Sequence, residues 1–182
     1  DTELEGIWVG KFETTGSYID GDASKVTVKP GENSLVNMTI NNQYRAGKSA
    51  TFGETSSDLI GSHMVKNSEW GAVAYLTQSS YGLNGKEIER NNSAKFTGGS
   101  DKKLEIYTTN AGQSTTGNAY GIYDMSGGRG ERTSNYVNYT NGSFSNGGKT
   151  DQDLYNASNA GESTKYKTVY EASGTNIENS YN

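Results

Sequence analysis

The chain has no cysteine, so disulfides, thiolate metal sites and cysteine nucleophiles are excluded. Cysteine absence does not fix the compartment. Proline and histidine each occur once, which removes most of the material for histidine-rich metal or triad chemistry. No apolar run approaches the roughly 18 residues that a membrane-spanning helix needs. Lys and Arg form no cluster or stripe and the net charge is -5, so the cationic surface that neutralises phosphates is missing and nucleic acid is not an expected partner. Hydrophobic residues are scarce at 31% of the 182, and the mean hydropathy is -0.82.

What is present does not look like a disordered tail. Thirteen Tyr, four Phe and two Trp accompany the small net charge, whereas disordered chains combine high net charge with few aromatics. With 24 Gly and an abundance of Asn, Ser and Thr, the composition points to one domain with a small core beneath long surface loops. The Asn/Ser/Thr/Tyr/Gly palette suggests an extracellular setting.

"LEGIWVGKFETTG", residues 4–16, alternates as a strand does, with Leu4, Trp8 and Phe12 on one face and Ile7 and Val9 on the other. Val26 and Val28 share a face of a short strand over 25–29, stopped by Pro30-Gly31. Ile40 and Tyr44 suit a helix over about 39–49, although Thr and Asn are poor interior helix formers. The clearest helix starts at 67–68, capped by Asn67 or Ser68, with Glu69 in its first turn. Trp70, Val73, Ala74 and Thr77 make its apolar face, and Gly82 closes it. Gly71 weakens that helix, which suggests close packing there. "KEIERN" and "KKLEIYTTN" are candidate short strands, "FTGGSD" and "NAGQSTTGN" are loops, and a short helix is expected at 150–159.

The segment "GIYDMSGGRGERTSNYVN" raises the question of a catalytic turn. A nucleophile elbow needs glycine two residues before Ser126, where Asp124 stands. Neither a phosphate loop nor a dinucleotide loop matches "SGGRGER". A structural turn is expected instead, with Asp124 receiving backbone amides and Gly127 and Gly128 free to take positive φ. His63 lacks partners at triad or zinc spacing and reads as a loop or helix-start residue. Asp20 and Asp22 lack the remaining ligands of an EF-hand loop; calcium in loops of this composition stays possible without assignable residues. Glu87, Glu89, Asp101 and Glu105 read as a solvated charge run or as paired carboxylates for glycoside chemistry. Tyr136, Tyr139, Tyr155, Tyr166 and Tyr170, set among Asn, Ser and Gly, are the candidate ligand-binding residues, because recognition loops use that mixture. The competing reading has them cover a thin core.

"GIWVGKFETTG", "KNSEWGAVAYL" and "TGNAYGIYDMSGG", in that order, resemble the formylglycine-generating-enzyme (sulfatase-modifying-factor) branch of the C-type lectin fold. More narrowly they resemble a subgroup in surface proteins of gut bacteria, often with a prepilin-like N-terminus, and Glu131, Arg132 and Thr133 match that subgroup's motif. The match covers 5–13, 66–76 and 117–133, and more weakly 163–170. It implies an α+β, C-type-lectin-like domain over 1–182: two helices packed on small twisted antiparallel sheets with long loops. The family's closing G-F-R-type strand is absent, so the C-terminal part is expected to be missing. The implied core contains Trp8, Phe12, Trp70, Val73, Tyr123, Asp124, Met125 and Gly127, with Tyr123 and Met125 near the Trp70 helix. Gly130 replaces a large residue of the family, so a cavity is expected there, or a side chain from the missing C-terminal part filling it. The branch's oxidation of a sulfatase cysteine relies on cysteines that this chain lacks. The expectation is therefore a non-enzymatic extracellular or cell-surface binding and display module, adhesin- or pilin-tip-like, for a glycan or protein ligand. It would have no catalytic residues and no cofactor beyond possible calcium. Alternatives are a subunit of an extracellular filament, with self-assembly, and an oxidase of the formylglycine-generating type.

Overall fold

The computed structural model describes residues 6–91, 106–139 and 165–172, and the fold is mixed α+β. Its elements are β1 (Thr15–Gly16), β2 (Val26–Thr27), α1 (Ile40–Ser49), α2 (Ser57–Ile60), α3 (Asn67–Gln78), 3-10 turns over Tyr107–Gln113 broken at Asn110, β3 (Asn135–Tyr139) and β4 (Thr168–Ala172). β1 and β2 form one two-stranded sheet and β3 and β4 the other. The latter pair is parallel, with Asn135 beside Thr168 and Tyr139 beside Ala172, where antiparallel sheets were expected. The described residues form two compact units. The first takes 6–16, 27–36, 73–91 and 106–130; the second takes 17–26, 37–72, 131–139 and 165–172.

The first unit is built on three rings. Phe12 stacks on Tyr123 at 5.4 Å between centroids, and Tyr107 meets both edge-on at 5.1 and 5.4 Å. Such pairs add about 0.5–1.5 kcal/mol each beyond their buried area. The Tyr123 hydroxyl donates to the Tyr107 carbonyl at 3.0 Å. Lys11 lies 4.8 Å from the Tyr107 ring centroid and donates its ammonium to the Ala119 carbonyl. Burial first, then the neighbouring Tyr107 and Asp124, raise the Tyr123 hydroxyl's pKa above the usual tyrosine value. Tyr123 and Phe12 are thus core residues as expected, but Tyr123 packs on Phe12 and Tyr107.

The turn at 124–128 wraps Asn91. Asn91 N–H donates to the Ser126 carbonyl at 2.7 Å, Gly128 N–H donates to the Asn91 carbonyl at 3.0 Å, and the Asn91 side-chain amide donates to the buried Asp124 carboxylate. Asp124, Gly127 and Gly128 have φ of 66, 90 and 69°. The expected positive φ values are present, and at Gly127 a Cβ would stand 2.0 Å from the Asn91 carbonyl oxygen. The Asp124 carboxylate accepts from the Asn91 side-chain amide.

Several expectations need correcting. Trp8 is fully exposed rather than core, because residues 6–10 join no strand and nothing imposes alternating faces on them. β2 is two residues long, although Val26 is buried. "KEIERN" contributes only a bridge at Asn91, and Tyr107–Gln113 is 3-10 turn rather than strand. Gly127 is exposed and Met125 and Trp70 are half-buried, whereas Val73 and Asp124 are buried as expected. Gly130 is exposed and a Cβ there would meet open space, so it marks no cavity. Gly71 likewise faces open space. The loop at 96–101, Asp101, Glu105 and the expected helix at 150–159 lie outside the described residues.

α1 matches its expected limits. The Thr39 hydroxyl caps it by accepting from Asn42 N–H at 3.2 Å, and Ile40, Tyr44 and Ala46 are buried. α3 presents Val73 and Thr77 inward on the expected face.

Candidate binding site around Tyr166

The second unit brings three stretches of chain together: the end of α1, the turn from Gly61 into α3, and residues 165–170. Gly47 permits the first approach, since a Cβ there would lie 2.7 Å from the Met64 nitrogen. The Ser62 hydroxyl donates to the Gly47 carbonyl at 2.6 Å. Ser134 joins the others. Its N–H donates to the Val65 carbonyl at 2.7 Å, its hydroxyl donates to the Tyr166 carbonyl at 2.6 Å, and its own carbonyl accepts from Thr168 N–H at 2.8 Å. These bonds hold Tyr166 by its backbone, leaving the half-buried ring to make its own contacts.

That ring is ringed by nitrogen. Lys48 and Lys165 place their ammonium groups 5.2 and 5.0 Å from its centroid, within the range of cation–π attraction. The His63 ring lies 5.8 Å away, tilted by 59°. Nδ1 of His63 is 2.7 Å from the Gly61 carbonyl oxygen and Nε2 is 3.0 Å from both Glu69 carboxylate oxygens. Both ring nitrogens therefore face acceptor oxygens. With both nitrogens so engaged, neither is presented as a free base to a substrate.

Glu69 is the electrostatic centre of this corner. It accepts from Lys66 N–H at 2.8 Å and lies 3.5 Å from the Lys66 ammonium. Lys66 therefore occupies the cap position before α3 and Glu69 the third helical position, one half of a capping box. The anticipated caps, Asn67 and Ser68, fall inside the helix. Burial acts first and pushes the Glu69 carboxyl upward, but the Lys66 amide and the His63 and Lys66 charges outweigh it and leave the pKa below the usual glutamate value. At the far side, Asn67 donates its side-chain amide to the Tyr170 hydroxyl at 2.8 Å, and the Trp70 indole N–H donates to Glu131 at 3.0 Å.

Of the five tyrosines singled out by sequence, Tyr166 and Tyr170 thus belong to one contiguous corner. Tyr136 and Tyr139 lie on β3, whose backbone pairs with β4; Tyr155 lies outside the described residues. Sequence reasoning missed His63 and Glu69 as partners. Their spacing of six residues matches no helical period, since a turn and a helix start lie between them. No family model, curated protein or solved structure matches the chain. The remaining candidates are scattered. Asp22 accepts from Ser24 N–H at 2.8 Å, a bond that heads the causes lowering its pKa, and Glu87 and Glu89 are exposed. No group of three His, Asp or Glu side chains that could hold a metal occurs among the described residues. No helix among them is long and apolar enough to cross a membrane.

Proposed function

We propose that this chain is a non-enzymatic ligand-binding and display module of C-type-lectin-like fold, carried on a bacterial surface as an adhesin or pilin tip. Its binding face centres on Tyr166 and Tyr170 and needs no cofactor. The observation that carries the reading is the Tyr166 ring with Lys48, Lys165 and His63 around it, on a backbone held by Ser134. Amphipathic rings flanked by polar groups on a fixed frame are what recognition surfaces use. The engaged nitrogens of His63 support a binding role over acid–base chemistry. The test is to probe glycan and protein arrays with the full chain and with Tyr166→Ala. Binding that the substitution weakens supports the reading; an array on which the full chain binds nothing overturns it.

A second reading, a subunit of an extracellular filament, draws on Tyr75 and Leu76, which stand exposed on α3. It expects concentration-dependent self-association, and a strictly monomeric species in sedimentation at high concentration excludes it.

A further inference from the structure

Three uncharged segments meet in the first unit. Tyr123 N–H donates to the Lys11 carbonyl at 2.8 Å and the Lys11 ammonium donates to the Ala119 carbonyl, so the chain just after 6–10 is tied to 114–121. A Cβ on Gly117 would lie 3.0 Å from the Leu83 side chain, which brings in 79–85. None of these three segments holds a charged residue, in a chain where 20% are charged. Each carries one prominent aromatic: Trp8 is 103%, Tyr81 88% and Tyr120 91% exposed.

The two tyrosines are not loose. Tyr81 N–H donates to the Ser79 hydroxyl at 3.2 Å, which itself donates to the Leu76 carbonyl at 2.6 Å. Asn118 Oδ1 accepts from Tyr120 N–H at 2.8 Å and from the Thr116 hydroxyl at 3.0 Å. Side-chain-capped turns of this kind set the backbone before any ligand arrives and lower the entropy lost on binding. Single exposed aromatics need no explanation, but three on converging segments do.

The chemistry of the face narrows its occupant. An acidic polymer would call for a cluster of cations; only Lys11 and Lys86 border these segments, and the Lys11 ammonium is given to the Ala119 carbonyl. A protein partner is ordinarily met by a rim containing charged groups that steer it. Rings with open faces, bordered by the amides and hydroxyls of Asn, Ser and Thr, complement a neutral carbohydrate. Its axial C–H groups lie on the rings and its hydroxyls pair with Asn, Ser and Thr. We infer that Trp8, Tyr81 and Tyr120 form a neutral-carbohydrate-binding platform, independent of the site at Tyr166.

Electrophoresis of the full chain through gels containing soluble β-glucan, α-mannan or galactan tests this, with polygalacturonate as the charged counterpart. At least one neutral polymer is expected to retard the protein, and added salt leaves the retardation intact. Tyr81→Ala and Tyr120→Ala are each expected to weaken it about tenfold, the loss typical of an interface anchor. Tyr120→Phe, which keeps the ring, preserves it. Circular dichroism checks that the variants remain folded, as their exposure implies. The inference is overturned if no neutral polymer retards the chain or if only polygalacturonate does. It is overturned equally if both alanine variants bind fully, or if Tyr166→Ala alone abolishes retention.

Discussion

The two units bury different chemistry. Among the described residues, besides Phe12, Val73 and Tyr123, the buried side chains of the first are Thr15, Ser34, Thr77, Asn91, Asn110, Gln113, Ser114, Thr115 and Asp124. Those of the second are mainly Ala23, Val26, Ile40, Tyr44, Ala46, Ala50 and Met64, with Ser134 and Lys167 the polar exceptions. Among the described residues the second unit thus has the more apolar interior, while the first sets its three rings among many directional bonds. Apolar burial is forgiving about geometry but sensitive to lost volume. Buried polar groups tolerate neither a lost partner nor a shifted one.

The largest effect should come from removing volume in the apolar unit. Tyr44 heads the fully buried side chains, so Tyr44→Ala is expected to cost about 3–5 kcal/mol, measured by urea denaturation. Asn91→Leu preserves approximate size in the polar unit but removes the amide that serves Asp124. We expect about 3 kcal/mol there, because a buried carboxylate loses a donor. If Asn91→Leu proves neutral, the first unit is held by its three rings and the contrast between interiors fails. Gly127→Ala is expected to cost about 2 kcal/mol, combining the strain of positive φ with the approach to the Asn91 carbonyl. Hydrogen exchange should show that loss concentrated in the first unit.

Acid separates the units further. Glu69 has its pKa lowered in the folded state, so its contribution is present above the unfolded glutamate's pKa. It is lost as pH falls through the lower folded value. Wild type is therefore expected to lose stability across that acidic window, and Glu69→Gln to show a flatter profile there. Tyr123 is the smallest effect and acts at the alkaline end. Its raised pKa means its contribution is complete below the ordinary tyrosine pKa and fades as pH rises through the folded value. Tyr123→Phe should cost about 1 kcal/mol near neutrality, the worth of one hydrogen bond. In ultraviolet titration it should also remove a late-ionising tyrosine.

The units also differed in how far sequence revealed them. α1 and the inward face of α3 were legible because helical period and capping are local, so Ile40 and Tyr44 on one helix, or Val73 and Thr77 on the other, announce themselves four residues apart. The positive φ of Gly127 and Gly128 was legible from turn chemistry. The stretch at 6–10 misled because its alternation had no partner strand, and Trp8 ended outside. Asn91 gave no signal at all, since its role depends on a turn more than thirty residues later. Among the site residues, Tyr166 and Tyr170 stood out by their surroundings in sequence. Lys48, His63 and Glu69 did not, because three separate stretches of chain assemble them.

The ties of the first unit also set an order in time. Lys11 reaches Ala119 and Glu13 accepts from Arg129 N–H, across 108 and 116 residues. During synthesis the earliest part of this unit therefore waits, without those partners, until the chain has grown past residue 129. A chain halted at 110 should leave Lys11 open to trypsin, whereas the released chain should protect it. The part of this unit that is synthesised first is thus among the last to become fixed.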